Sequence, residues 1–96
     1  LLEFFERELE KPKRTQFTAV ITEVRNHGMF IELVESNAFG MVHTSTLKDD
    51  LYRVNDSGTA IVGRRTRKTY RVGQKANVLV HRVDRFKRQV DFRISD

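Results

Sequence analysis

At 96 residues the chain is long enough for one domain and too short for two. It contains no cysteine, which excludes a disulfide framework and a thiolate metal site, and no apolar run approaches the ~20 residues of a membrane-spanning helix. The net charge is +5, and residues 48–75 hold eight basic and three acidic side chains, so the rest of the chain sums to zero. Charge gathered in this way suits an anionic partner, or else a solvated basic loop. The apolar residues at the start alternate with glutamates, unlike a secretory leader, and an intracellular, cytoplasmic setting is expected.

Taken in chain order, residues 1–11 read as a short amphipathic helix. Leu1, Phe5 and Leu9 share one face, Glu3 and Arg7 are spaced as an i,i+4 pair, and Pro12 ends the run. A helix this short is marginal in water and needs a packing partner, either the rest of the chain or an upstream domain. The chain opens on Leu1 in mid-helix, so residues 1–15 are expected to be the tail and linker of a longer protein.

From Phe17 the pattern changes to alternation. Phe17–Val24 is rich in β-branched residues and predicts a curved strand, followed by an Asn26-His27-Gly28 turn. Met29, Ile31 and Leu33 form the inward row of a second strand, and Phe39–His43 forms a third, with Val42 inward and Ser45 placed to cap the turn after it. Ala76–Asp84 and the alternating Val90, Phe92 and Ile94 complete the set. Five short strands with turn signals between them predict an all-β fold, a small five-stranded Greek-key barrel. The surplus, residues 48–75, holds Tyr52–Val54, Thr59–Val62 and Thr69–Val72 and reads as a β-hairpin or ribbon inserted between strands three and four.

The inward row of strand two leaves Phe30 on the other face, where it is either a platform for a nucleic-acid base or packing for the helix or the insertion. His43 and His27 are planar rings that stack and donate hydrogen bonds, whereas His81 reads as an ordinary surface or core residue. Arg64, Arg65, Arg67, Lys68, Arg71 and Lys75 place six cations within twelve residues, and the turn Arg85-Phe86-Lys87-Arg88 mixes cations with a ring. Both suit a phosphate backbone, or else are solvated turns. Gly58 to Arg65 has phosphate-loop spacing but lacks the Lys-Ser/Thr ending, and Asp49-Asp50 has no third metal ligand. No nucleophile, histidine and acid arrangement is present, so no catalytic site and no cofactor are expected within these residues.

Read together, Phe17-x-Ala19-Val20-Ile21-x-x-Val24, Gly28-Met29-Phe30-Ile31-Glu32-Leu33, Gly40-Met41-Val42-His43-x-Ser45-x-Leu47 and the closing Val83-Asp84-Arg85 through Val90-Asp91-Phe92 resemble an S1 RNA-binding domain, an OB-fold module, over residues 16–95. The segment Asp49-Asp50-x-Tyr52-Arg53-Val54, Ile61-Val62-Gly63-x-x-Thr66 and Tyr70-Arg71-Val72-Gly73 is similar to the insertion of ribonuclease II and ribonuclease R type exoribonucleases. The resemblance implies an RNA face of Phe30, His43, Asp84 and Arg88, with His27 where an aromatic is usual. The charge pattern, apart from the resemblance, offers Arg64, Arg65, Arg67, Lys68, Arg71, Arg85 and Lys87 as candidate phosphate contacts, and no membrane partner is expected. The resemblance further implies a module that holds single-stranded RNA for an upstream, magnesium-dependent catalytic domain. The chain departs from the family pattern at Ala19, where glycine is frequent, at Thr44, at Arg67, where glycine often follows Thr66, and at Gln74. Two other readings stand beside it: an S1 module of a translation or ribosome-associated protein, and a protein-interaction module.

Overall fold

The alternation seen in the sequence becomes strand structure throughout. The computed structural model describes residues 1–95. Its strands are β1 (Phe17–Arg25), β2 (Gly28–Leu33), β3 (Phe39–His43), β4 (Tyr52–Val54), β5 (Ala60–Gly63), β6 (Thr69–Arg71), β7 (Lys75–Asp84) and β8 (Gln89–Ile94), preceded by helix α1 (Leu2–Glu8). Five of them close into a barrel in the order β1-β2-β3-β8-β7, antiparallel except for the β3–β8 pair. The expected inward residues fill it: Ile21, Met29, Ile31, Val42, Val78, Val80 and Phe92 are fully buried. Gly40 permits the close β3–β8 approach, because a Cβ there would enter the edge of the Phe92 ring.

The insertion differs from the expected hairpin. It is a three-stranded antiparallel sheet in the order β4-β5-β6, lying between the third and fourth barrel strands in sequence. Three short apolar runs were present in residues 48–75, and each forms a strand. One face of this sheet carries Tyr52, Ile61 and Tyr70, which join the barrel core. Burial and the Tyr52 hydroxyl's hydrogen bonds to Asp49 (3.1 and 3.0 Å) push the Tyr52 phenol well above its ordinary range.

Helix α1 ends at Glu8, three residues short of the expected Lys11, and packs on the barrel. Phe5 is 1% exposed, its ring meeting Phe92 edge-on at 5.7 Å and Phe17 at 6.1 Å. Glu8 is itself buried and turns its carboxylate to the linker, accepting hydrogen bonds from the Thr15 N–H (2.9 Å), the Thr15 hydroxyl (2.9 Å) and Lys11 Nζ (2.7 Å). Those contacts tie the linker back to the helix, which explains why the helix stops before Pro12. The turn after β3, Thr44–Thr46, has no side-chain cap, contrary to the role expected of Ser45. There the Thr46 hydroxyl donates to the His43 carbonyl at 2.6 Å.

Candidate nucleic-acid interface

Because a strand alternates its faces, the core row of each barrel strand dictates an outer row. Inward Ile31 and Leu33 leave Phe30 and Glu32 outside; inward Val42 leaves Phe39, Met41 and His43 outside; inward Val90 and Phe92 leave Gln89 and Asp91 outside. Register joins these into a continuous wall. Phe30 is paired with Met41, Met41 with Asp91, and Asp91 with Arg82 of β7. Glu32 is paired with Phe39, which makes the two rings, Phe30 and Phe39, diagonal neighbours on one face.

Phe30 is half-buried and Phe39 is 72% exposed. Met41, paired opposite Phe30 and 3% exposed, turns its methyl toward Gly28, where a Cβ would meet it, and its sulfur accepts a contact from Gln89 Nε2 at 3.8 Å. His43, half-exposed, presents Nε2 3.4 Å from Asp91 Oδ2, and Arg82 Nε lies 3.5 Å from the same oxygen. Asp91 is buried, and its second oxygen, Oδ1, has no partner among the described residues. The carboxylate therefore anchors an imidazole and a guanidinium from opposite sides of the wall.

One strand over, Asp84 is opposite Gln89 and 3.4 Å from Arg82 Nη2. The Lys87 N–H, donating to Asp84 Oδ1 at 3.0 Å, holds the Asp84 carboxyl below its ordinary value, with Arg82 adding to the effect. Asp84 thus fixes the β7–β8 turn as well as bordering the wall.

The structure brings Phe30, His43 and Asp84 to one outer wall. Arg88 sits at the Asp84 end in the turn, at φ +54°, and with Arg85 borders Leu1, Leu2 and Glu3 at the start of α1. Arg85 pairs with Glu6 at 3.4 Å, and Phe86, next in the turn, is fully exposed. His27 is exposed in the β1–β2 turn, next to Gly28, which is paired with His43. The cations Arg64, Arg65, Arg67, Lys68 and Arg71 lie on the inserted sheet, apart from the wall, and His81 is exposed at a bulge in β7.

Phe39, Met41, Arg82 and Asp91 were not singled out in the sequence. Parity alone places Phe39 with His43 and Asp91 opposite Val90, so the positions were readable. The partners were not, because Asp91 meets His43 and Arg82 only through the parallel β3–β8 pairing and the bulge between Val80 and Arg82.

A closed five-stranded barrel in this strand order, with rings and paired charges on its outer wall, is consistent with the OB-fold class. The chain belongs to the S1 RNA binding domain family, whose profile matches residues 10–95. It is 36% identical over 76 residues to Ribonuclease R of Escherichia coli, which covers 79% of this chain and 9% of that protein. It is 36% identical over 96 residues to Ribonuclease R 1 of Lactococcus lactis, covering 91% of this chain and 12% of that protein. The acetazolamide conferring resistance protein zam of Synechocystis is 40% identical over 75 residues, 78% of this chain and 10% of that protein. The chain thus spans about a tenth of the length of these relatives. Among solved structures, the apo form of Mycoplasma genitalium RNase R matches with a TM-score of 0.78 at 21% identity, over 84% of this chain and 13% of that one. The same enzyme in complex with ribose methylated single-stranded RNA gives 0.77, again at 21% identity, 84% and 13%. These structural likenesses speak to the fold.

Proposed function

We propose that this chain holds single-stranded RNA on the outer wall of its barrel, as the S1 module of a 3′→5′ exoribonuclease of the ribonuclease R type. In this reading the bases stack on Phe30 and Phe39, the His43 ring adds a third planar group, and Arg82 with Arg88 offers charge to the backbone. Hydrolysis, with its magnesium, belongs to a catalytic domain upstream in the same protein. The module's part is to retain the strand and deliver it in a cytoplasmic enzyme.

The observation that carries the reading is the wall itself. Aromatic rings stand outward on adjacent strands, beside a buried Asp91 that meets the His43 imidazole and the Arg82 guanidinium. Phe39, 72% exposed, contributes little to the core, whereas base stacking on such a ring is worth ~1–3 kcal/mol. The similarity to ribonuclease R sequences, together with the inserted sheet, supports this parent over a ribosome-associated one.

Fluorescence anisotropy with labelled oligo-uridine tests the reading directly. Phe30→Ala should weaken binding by roughly 5- to 150-fold, the equivalent of one lost stack. Unchanged affinity would remove the wall from consideration. The coding sequence upstream of Leu1 tests the parent, which requires an aspartate-bearing nuclease domain there.

A further inference from the structure

Apart from Arg71 at the end of β6, the cations of the inserted sheet fall into two sets. Arg65 Nη2 donates to the Asp49 carbonyl at 3.3 Å, and Lys68 Nζ lies 3.9 Å from the Asp49 carboxylate and 5.5 Å from the centre of the Tyr70 ring. These two are engaged by their own loop. Arg53, Arg64 and Arg67 are exposed and form no ion pair among the described residues.

Arg53, outside the basic run of residues 64–75, is opposite Val62 in the β4–β5 pair. Both line a surface depression with Val54, Asn55, Asp56, Arg64 and Arg67, so three guanidinium groups share it with one carboxylate. No ring lines it, so it offers donors and charge without a stacking surface.

The loop that presents these arginines is held in place. Asp50 accepts the N–H groups of Arg65 (3.0 Å) and Thr66 (2.7 Å) and the Thr66 hydroxyl (2.7 Å), and the Thr66 N–H is the largest of the influences holding its carboxyl well below the ordinary range. Gly63 leaves room for that arrangement, since a Cβ there would crowd Asp50 Oδ2 and lie 2.9 Å from Thr66 Oγ1. Arg67 sits at φ +65°, a backbone conformation suited to glycine. A long charged side chain thus occupies a position whose backbone favours glycine, as Asn37 and Arg88 also do.

The same sheet is joined to the barrel wall through the β1–β2 turn. The Val54 N–H donates to Asn26 Oδ1 at 2.9 Å, and the Thr44 N–H donates to the His27 carbonyl at 2.9 Å, directly after His43. The turn is therefore a physical bridge between the wall and the depression.

We infer that Arg53, Arg64 and Arg67 form a second binding face, which takes the phosphodiester backbone of an RNA strand continuing from the barrel wall across the Asn26–His27 turn. The inference rests on the wall being an RNA site. Phosphate oxygens only accept hydrogen bonds, and guanidinium forks only donate them, so this face grips backbone irrespective of base. It lengthens the footprint rather than adding sequence choice.

A length series separates the two faces. Oligo-uridines of about 4 and about 12 nucleotides span the range that a single barrel of this kind occupies. The variant Arg53→Ala/Arg64→Ala/Arg67→Gly should bind the short oligomer as the unsubstituted chain does. It should bind the long one about tenfold more weakly, with a salt slope shallower by about 2. Its melting temperature should match or exceed that of the unsubstituted chain, since Arg67→Gly relieves a left-handed residue. Full retention of long-oligomer affinity and slope would overturn the inference and assign the face to another partner, such as an acidic protein segment. Equal weakening at both lengths would overturn it too, showing a general charge effect. Phe30→Ala in parallel should weaken both lengths. If it weakens neither while the arginine variant still loses the long oligomer, the wall reading falls and the arginine face stands as a backbone site.

Discussion

Phe39 is a large apolar side chain, 72% exposed, on a strand whose alternate residues are well buried. Its removal is expected to leave stability almost untouched, because it buries little area. Phe39→Ala should therefore keep the melting temperature and weaken oligo-uridine by a factor comparable to that of Phe30→Ala, read by the same anisotropy titration. A fall in melting temperature with unchanged affinity would mark Phe39 as packing. Phe30 and His43 drew notice in the sequence because rings on an outward parity stand out. Phe39 has the same parity as His43 but sits at the strand's first position, where its neighbours gave no pattern. Asp91 is a harder case: alternation shows its direction, but its burial depends on His43 and Arg82 arriving from two other strands.

The five barrel strands were legible because each carries an inward apolar row with a turn signal on either side. Helix α1 was legible as a helix, but its end and its packing partner were not. Both depend on tertiary contacts, Phe5 meeting Phe92 and Glu8 meeting Thr15. Phe5→Ala should cost about 3–5 kcal/mol, as for other large core truncations, measured by urea unfolding. A loss well under 1 kcal/mol would mean the helix is not part of the barrel core. Burial alone would raise the Glu8 carboxyl; the hydrogen bonds of Lys11 and Thr15 outweigh it, and the net shift is downward from 4.5. A lowered folded value means its stabilisation is complete above the ordinary glutamate range and is lost as pH falls through the folded value. Glu8→Gln should accordingly lower the melting temperature at pH 7, with the gap to the unsubstituted chain closing below about pH 4. The inserted segment was recognised as β-structure by its apolar runs. All three runs were read, but their joining into one three-stranded sheet was not, because residues 69–71 are short and lie among cations, with Tyr70 as the buried residue of that strand.

The molecule as a whole measures 37 × 24 × 23 Å, with a barrel and a small sheet packed on it. Its charge excess lies on the inserted segment and its outward rings Phe30 and Phe39 lie on the barrel, so in the proposed reading the two kinds of RNA contact are divided between the two parts. Sequence located the charge and the fold but not this division, which required the register of β4 against β5 and the bond from Val54 to Asn26. The proposed function depends on RNA lying along the β2–β3–β8 wall. The direct measurement is a backbone amide NMR titration of the isotopically labelled chain with oligo-uridine at low salt. The account predicts the largest shifts at Phe30, Phe39, Met41, His43 and Asp91, with residues of α1 little changed. Shifts confined to α1 and the β7–β8 turn, or none at saturating RNA, would contradict it.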